Sequence, residues 1–176
     1  MANLEGMDLK LLLGGKHFVL PCTLSINGMR LNSITSLQDT GANGFLFIDT
    51  AQAQRAVSAL GAKLLSLPTP ISVTGYDRKS RSQLQHYIRL HFTIDGRRQL
   101  NAPFLVIDLG GHHDVIVGRH WYDYFDVKPD CRRRKLVWPA DYLPTDPLVV
   151  NKEIGVPHKA VGAFSSLSRH YQQDVD

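Results

Sequence analysis

The residues best suited to chemistry are an aspartate, a small hydroxyl residue and a glycine in a row, Asp39-Thr40-Gly41, followed by Ala42. An aspartate on a tight loop that leaves a β-sheet can work as an acid or a base. The glycine permits unusual backbone torsions and the close approach of a substrate, while the hydroxyl and nearby N–H groups can hold the carboxylate in place. An Asx-type turn between two strands favours the same residue types. The motif alone therefore leaves a catalytic and a purely structural interpretation open.

The segments on both sides of this motif have the pattern of β-strands. Two apolar-alternating runs joined by Asn27-Gly28 predict a hairpin over residues 17–34. The run FLFID, which follows the motif, predicts a further strand. The motif is therefore expected on a loop that projects from a sheet.

One convincing helix precedes the C-terminal tail, over residues 49–63. Asp49 or Thr50 is its expected N-cap, and Ala53, Val57 and Leu60 are expected on its apolar face.

The rest of the chain predicts more strands. A long hairpin is expected after the helix, with an exposed polar turn around Thr74, Gly75 and Tyr76. The runs QLNAPFLVID and HDVIVG predict short buried strands, HWYDYF one or two helical turns, and RRKLVWP a last strand. We expect a mostly β domain of five to eight short strands with one or two short helices.

Length and composition agree with one folded domain. The 176 residues allow a single core, and 43% hydrophobic with 20% charged residues excludes a disordered or collagen-like chain. The domain is expected over residues 17–140, after an N-terminal extension over 1–16 and before a linker or tail over 141–176, with a short helix near 160–171. Neither a membrane span nor a signal peptide is recognisable, which predicts a cytoplasmic protein without a membrane partner.

A second feature lies about 75 residues after the motif, where the apolar run Val115-Ile116-Val117 ends in Gly118 before a predicted short helix. This pairing resembles the retropepsin family of aspartic proteases, and the turn ISVTGYDRKS lies where that family carries its flap. The resemblance covers about 120 residues and is strongest to proteases of gypsy-type LTR retrotransposons. Their Asp-Thr/Ser-Gly-Ala is followed by apolar residues, and their late apolar-Leu/Val-Gly-x-x-Trp segment is matched here by residues 116–121.

The resemblance implies a retropepsin-like closed β-barrel of the acid protease fold, with one lobe per chain. It also implies a site. The catalytic residues would be Asp39, Thr40 and Gly41. The substrate-binding residues would be Ala42, Asn43 and the flap residues Val73, Thr74, Gly75 and Tyr76. Gly118 and Arg119 would support the active-site loop, although Asn43 stands where many relatives have the acidic partner of that arginine.

Only one Asp-Thr-Gly occurs in the chain; the nearest imitation, Asp108-Leu109-Gly110, lacks the hydroxyl residue. In the family two identical chains meet, so that two aspartates share a proton and activate a water molecule. Two carboxylates about 3 Å apart do not both ionise readily, which makes one the acid and the other the base. The resemblance therefore implies a homodimeric aspartic endopeptidase that cleaves polypeptide, including its own retroelement polyprotein precursor, in the cytoplasm or within retroelement particles, without a cofactor.

Other features suggest weaker alternatives. Cys22 and Cys131 match no metal spacing and are expected to be reduced thiols. His112 and His113 are adjacent, so on an extended strand they point to opposite faces and suit a metal ion poorly.

Two further function classes stay open. The basic clusters Arg97-Arg98 and Arg132-Arg133-Arg134-Lys135 are expected to be solvated rather than to touch nucleic acid, because aromatic residues are not interleaved with them. The alternatives to a protease are a catalytically silent retropepsin-fold module for dimerisation or peptide binding, and, further off, a basic β-barrel that binds nucleic acid.

Overall fold

The computed structural model describes residue 6, residues 12–74 and residues 81–142. Its strands and helices follow in the order β1 Val19–Ile26, β2 Met29–Gln38, β3 Leu46–Asp49, α1 Thr50–Leu60, β4 Leu64–Thr74, β5 Arg81–Ile94, β6 Arg97–Ile107, β7 Val115–Val117, α2 Arg119–Phe125, β8 Lys128–Asp130 and β9 Lys135–Val137. The predicted mostly β class with two short helices is confirmed. The expected turn at Gly75 and Tyr76 and the expected helix near 160–171 lie outside the described residues.

Six of the strands close into a barrel. Their order around the sheet is β1-β2-β7-β3-β6-β5, and β5 pairs back with β1. β4 continues the sheet beyond β5 as the first arm of the predicted long hairpin. In the part of the chain that is described, no helix has the length and apolar character needed to cross a membrane.

Two ladders of the barrel are parallel, and they bring distant loops together. β2 runs parallel to β7, and β3 runs parallel to β6. Because parallel strands end at the same edge of a sheet, the residue after β2, Asp39, lies beside the residue after β7, Gly118. The two sequence motifs therefore meet in space.

Apolar side chains form two clusters on opposite faces of the sheet. Ile48 and Phe104 belong to the larger cluster, which fills the barrel, whereas their neighbours Phe47 and Leu105 belong to the second cluster. Successive side chains of a strand point to opposite faces, so the second cluster lies outside the barrel wall. The hairpin β4–β5 covers this outer cluster with residues Leu67, Ile71, Val73 and Leu84.

The helix α1 is shorter than predicted, and one of the three residues expected on its buried face is exposed. Its N-cap is Asp49, and it ends where Gly61 takes a left-handed conformation with φ 69°. Ala53, Ala56 and Leu60 are buried, but Val57 is 39% exposed, so its predicted place on the buried face is wrong. The buried face consists of Ala53, Ala56 and Leu60, at spacings i, i+3 and i+7, and Val57 lies at its edge.

Candidate active site

The loop after β2 carries the Asp-Thr-Gly motif at the edge of the barrel. The backbone N–H of Asp39 donates to the carbonyl oxygen of Val117 over 3.0 Å, which continues the parallel ladder by one residue. A further backbone bond, from Ala42 N to the Asp39 carbonyl oxygen at 3.1 Å, closes a tight turn. The carboxylate is thus attached to the rigid end of a strand rather than to a free loop.

The carboxylate of Asp39 is half-buried and is oriented by backbone donors. Its Oδ1 atom accepts the N–H of Gly41 at 3.0 Å and that of Ala42 at 3.2 Å. Among the described residues no intrachain hydrogen bond reaches Oδ2, so this oxygen is the one open to a ligand. A Cβ atom on Gly41 would lie 3.2 Å from Oδ1, a tight contact that glycine avoids. Thr40 is exposed beside it.

Gly118 lets the start of α2 lie directly against this loop. A Cβ atom at this position would overlap the carbonyl oxygen of Gly44. The backbone N–H groups that follow bind the loop: Arg119 N donates to Ala42 O at 2.8 Å, and His120 N donates to Gly44 O at 3.0 Å. The loop is therefore held by main-chain bonds at both of its ends.

The side chain of Arg119 reaches the same loop. Its Nη2 atom donates to Oδ1 of Asn43 over 2.7 Å. Asn43 is buried, and its neutral amide takes the position of the acid expected from the family resemblance. Arg119 and the loop are therefore joined by a hydrogen bond to a neutral acceptor rather than by an ion pair.

The predicted substrate-binding residues fall into three groups. Ala42 is half-buried at the rim of the outer apolar cluster, beside the half-buried Ile116. Val73 is 8% exposed and packs into that cluster, and Thr74, the last residue of β4, is half-buried. Gly75 and Tyr76 lie outside the described residues.

Sequence reasoning missed a series of buried, hydrogen-bonded polar side chains that includes the residue before Asp39. The hydroxyl of Tyr122 donates to Oε1 of Gln38 at 2.6 Å, and Gln38 Nε2 donates to Oγ of Ser36 at 3.0 Å. Burial, and after it the negative charges of Asp39 and Cys131, raise the pKa of the Tyr122 hydroxyl, which therefore stays protonated as a donor. The available signal was a polar glutamine at an inward position of the strand, on the face that also carries Leu31 and Ile34.

The loop between β6 and β7 is fixed by two aspartates that the sequence did not single out for this role. Asp49 accepts the N–H of Leu109 at 2.8 Å, in addition to capping α1. Asp114 accepts Thr35 N at 3.0 Å and Gln52 Nε2 at 3.0 Å. These bonds place the imitation motif, with its exposed Asp108, on the loop that faces the start of α1.

Several residues of the histidine pair and of the basic cluster at 132–135 make contacts within the chain. The ring of His113 stacks edge-on against His17 at 5.5 Å, and no group of three or more metal-binding side chains occurs in the ranges 12–74 and 81–142. Arg134 donates to the carbonyl oxygens of Lys16 and His17, both at 2.7 Å, and Arg133 pairs with Asp130.

The two cysteines are not bonded to each other. Burial, and to a smaller extent the charge of Asp114, raise the pKa of the Cys22 thiol to about 12 against the opposing effect of its hydrogen bond with Ser36. Cys131 is exposed.

A half-open cavity of about 490 Å³ lies away from the Asp-Thr-Gly loop, between α1 and the neighbouring ends of β5 and β6. Its walls include the exposed apolar residues Val57 and Leu64, and Asp39 does not line it.

The comparisons with known proteins agree with the barrel and the loop arrangement at the level of the fold. No protein-family profile matches the sequence, and no curated protein matches it. Among solved structures, the retroviral protease-like domain of Ddi1 from Leishmania major is similar with a TM-score of 0.50 and 16% sequence identity. The alignment covers 76% of this chain and 99% of that domain. The chain therefore has the retropepsin-like fold that the sequence motifs predicted.

Proposed function

We propose that this chain is one half of a homodimeric aspartic endopeptidase of a retroelement polyprotein. One observation carries the proposal: the only Asp-Thr-Gly of the chain lies on a loop whose backbone orients one carboxylate oxygen and leaves the other open. A single carboxylate cannot be both acid and base in one step, so a second copy of Asp39 must complete the site.

The chemistry follows from two such loops facing each other. One Asp39 is ionised and takes a proton from a bound water, whose oxygen attacks the carbonyl carbon of the scissile peptide bond. The other Asp39 is protonated and donates to the carbonyl oxygen as the tetrahedral intermediate forms. The first Asp39 then donates the proton it took to the leaving nitrogen as the C–N bond breaks, and the second Asp39 regains a proton from a hydroxyl of the intermediate, which becomes the carbonyl of the product acid. In this proposal the exposed Thr40 would contact the counterpart loop of the second copy, and the β4–β5 hairpin would cover an extended peptide.

The retroelement context and self-cleavage belong to the same proposal. They are supported by the similarity of Asp39–Ala42 and of residues 116–121 to gypsy-type proteases. The substrate that follows from this similarity is the precursor in which the protease is translated.

The test is cleavage of a precursor that carries this chain with its natural flanking sequence. Asp39→Asn should lower the cleavage rate by about 10²- to 10⁴-fold, since it removes the acid and the base together. Asp108→Asn is the matched control, because Asp108 occupies the imitation motif on an exposed loop, and it should cleave at the wild-type rate.

Three outcomes decide between the functions. Cleavage that depends on Asp39 and is blocked by a statine-type transition-state mimic supports the protease. A stable dimer that binds peptide but does not cleave over a broad pH range identifies the silent module instead. Equal cleavage by wild type and Asp39→Asn would refute the assignment of the catalytic residue.

A further inference from the structure

The side chain that precedes Asp39 is unusual for its position. Gln38 is the last residue of β2 and is only 9% exposed, and Ser36, two residues earlier on the same face, is fully buried. The next inward residue along the strand, Ile34, packs in the barrel core. Burial of a side-chain amide is unfavourable unless its polar atoms are hydrogen bonded.

Every polar atom of this amide has a partner. Oε1 accepts the Tyr122 hydroxyl at 2.6 Å, while Nε2 donates to the carbonyl oxygen of Ser36 at 3.2 Å and to its Oγ at 3.0 Å. The Ser36 hydroxyl in turn donates to the carbonyl oxygen of Leu20 on β1, at 3.0 Å. A short, unbroken chain of bonds thus runs from α2 through β2 to β1.

The same helix holds the other side of the Asp-Thr-Gly loop. Its first two N–H groups, from Arg119 and His120, bind the carbonyl oxygens of Ala42 and Gly44. Tyr122, three residues after Arg119, binds the residue on the opposite flank of the aspartate. α2 therefore contacts the chain both before and after Asp39.

We propose that Gln38 and Tyr122 are positioning residues, which hold the end of β2 in register with α2 and thereby fix where the Asp39 carboxylate lies. This inference rests on the proposed function for its catalytic consequence, but the positioning itself is a property of the single chain. The titratable groups whose charge acts on the Tyr122 hydroxyl are Asp39 and Cys131.

A positioning role predicts an effect that loss of stability alone does not produce. In a pair of interacting carboxylates, the gap between the two apparent pKa values grows as the groups approach each other. A loosened Asp39 should therefore bring the two values together and narrow the bell-shaped dependence of kcat/KM on pH.

The experiment compares Tyr122→Phe with a matched control in the same helix. Trp121, adjacent to Tyr122, donates through Nε1 to Oε1 of the fully buried Gln99 at 2.8 Å, and Gln99 is on β6 rather than beside Asp39. Gln99→Leu breaks this bond from the acceptor side and leaves the Trp121 N–H without an acceptor, whereas Tyr122→Phe removes the donor and leaves Oε1 of Gln38 without one. Both variants should lose stability, which thermal unfolding measures.

Only Tyr122→Phe should change the site. We expect its kcat to fall about 3- to 10-fold at unchanged KM, together with a narrower pH profile, because small displacements of catalytic groups are strongly felt in the rate. By NMR hydrogen exchange, the N–H groups of Gly41 and Ala42, which bind Asp39, should exchange about tenfold faster than in the wild type. Gln99→Leu should leave kcat, the pH profile and both exchange rates at their wild-type values.

The exchange measurement separates this inference from the proposed function. If neither the wild type nor any variant cleaves, but Tyr122→Phe alone speeds the exchange of the Gly41 and Ala42 N–H groups, the positioning role stands and the protease proposal fails. If cleavage occurs and Tyr122→Phe matches Gln99→Leu in profile width and exchange, the positioning role is refuted. If Tyr122→Phe does not fold, the double variant Gln38→Leu/Tyr122→Phe can be used instead. It removes both partners of the hydrogen bond, so neither is left buried without the other. Wild-type kcat and profile width in that variant would equally refute the role.

Discussion

The contact between Arg119 and Asn43 shows how a single residue tunes the support of the Asp-Thr-Gly loop. An arginine binds a carboxylate more strongly than a neutral amide, because both partners are then charged and the carboxylate can accept two N–H groups side by side. Here the acceptor is the Asn43 amide oxygen at 2.7 Å, in a buried position. The loop is thus stabilised without an ion pair that would titrate in the acidic range.

Asn43→Asp should therefore stabilise the fold at neutral pH, by about 1 kcal/mol, and make its stability pH-dependent. The Arg119 guanidinium would hold the pKa of the new carboxyl below its unfolded value. A depressed pKa stabilises the fold above the unfolded value, about 4, and the gain disappears as the pH falls through the folded value. Urea unfolding of wild type and variant at a series of pH values from about 3 to about 7 measures the difference in the free energy of unfolding.

The control for this prediction is the same substitution in an Arg119→Gln background. The carboxylate would then be buried without a cation, so the double variant should be less stable than Arg119→Gln alone at neutral pH. A stabilising effect of Asn43→Asp that persists without Arg119 would contradict the charge pairing.

The elements of this fold differ in how well the sequence predicts them, and the difference follows from the range of their interactions. The first hairpin depends on the two residues of its turn, Asn27 and Gly28, which both have the positive φ that such a turn requires. α1 depends on its cap Asp49 and on Gly61. Both elements were predicted because their signals are local.

The contacts that build the site are not local; the family resemblance indicated the one between Arg119 and Asn43, but nothing in the sequence indicated the one between Tyr122 and Gln38. Tyr122 and Gln38 are 84 residues apart, and Arg119 and Asn43 are 76 apart. The Asp-Thr-Gly motif and its loop were recognised from residue types alone. The partners behind the loop depend on the parallel pairing of β2 with β7, which leaves no periodic trace in either segment.

The side chain of Asp49 joins the start of α1 to the loop before β7. It is 5% exposed and accepts two N–H groups, from Ala51 and from Leu109. Asp49→Ala should lower the free energy of unfolding by about 2–3 kcal/mol, since a helix cap is lost and a backbone N–H loses its acceptor. Denaturant unfolding measures the loss.

Asp108→Ala serves as its comparison, because Asp108 is exposed and binds only the nearby N–H of Gly110 in the described structure. This change should alter stability by no more than about 0.5 kcal/mol. Equal losses in the two variants would show that Asp49 does not tie the two elements together.

For the whole molecule, a site shared between two copies predicts a specific result on mixing subunits. Wild type and Asp39→Asn, unfolded together in equal amounts and refolded, should pair at random, so that about one quarter of the dimers carry two intact aspartates. Cleavage should fall to about one quarter of the activity of an equal total amount of wild type. A fall to one half would mean that each chain works alone, and a mass measurement on the same sample checks the dimer.

The bonds that shape the Asp-Thr-Gly loop are mostly made by the main chain. The N–H groups of Gly41, Ala42, Arg119 and His120 supply them, and few of these depend on which side chain the residue carries. Such a loop can keep its form while the sequence diverges widely, provided that positions 41 and 118 remain glycine. At both positions a Cβ atom would crowd neighbouring atoms. Distant relatives of this chain are therefore expected to share the backbone form of this loop more than the side chains around it.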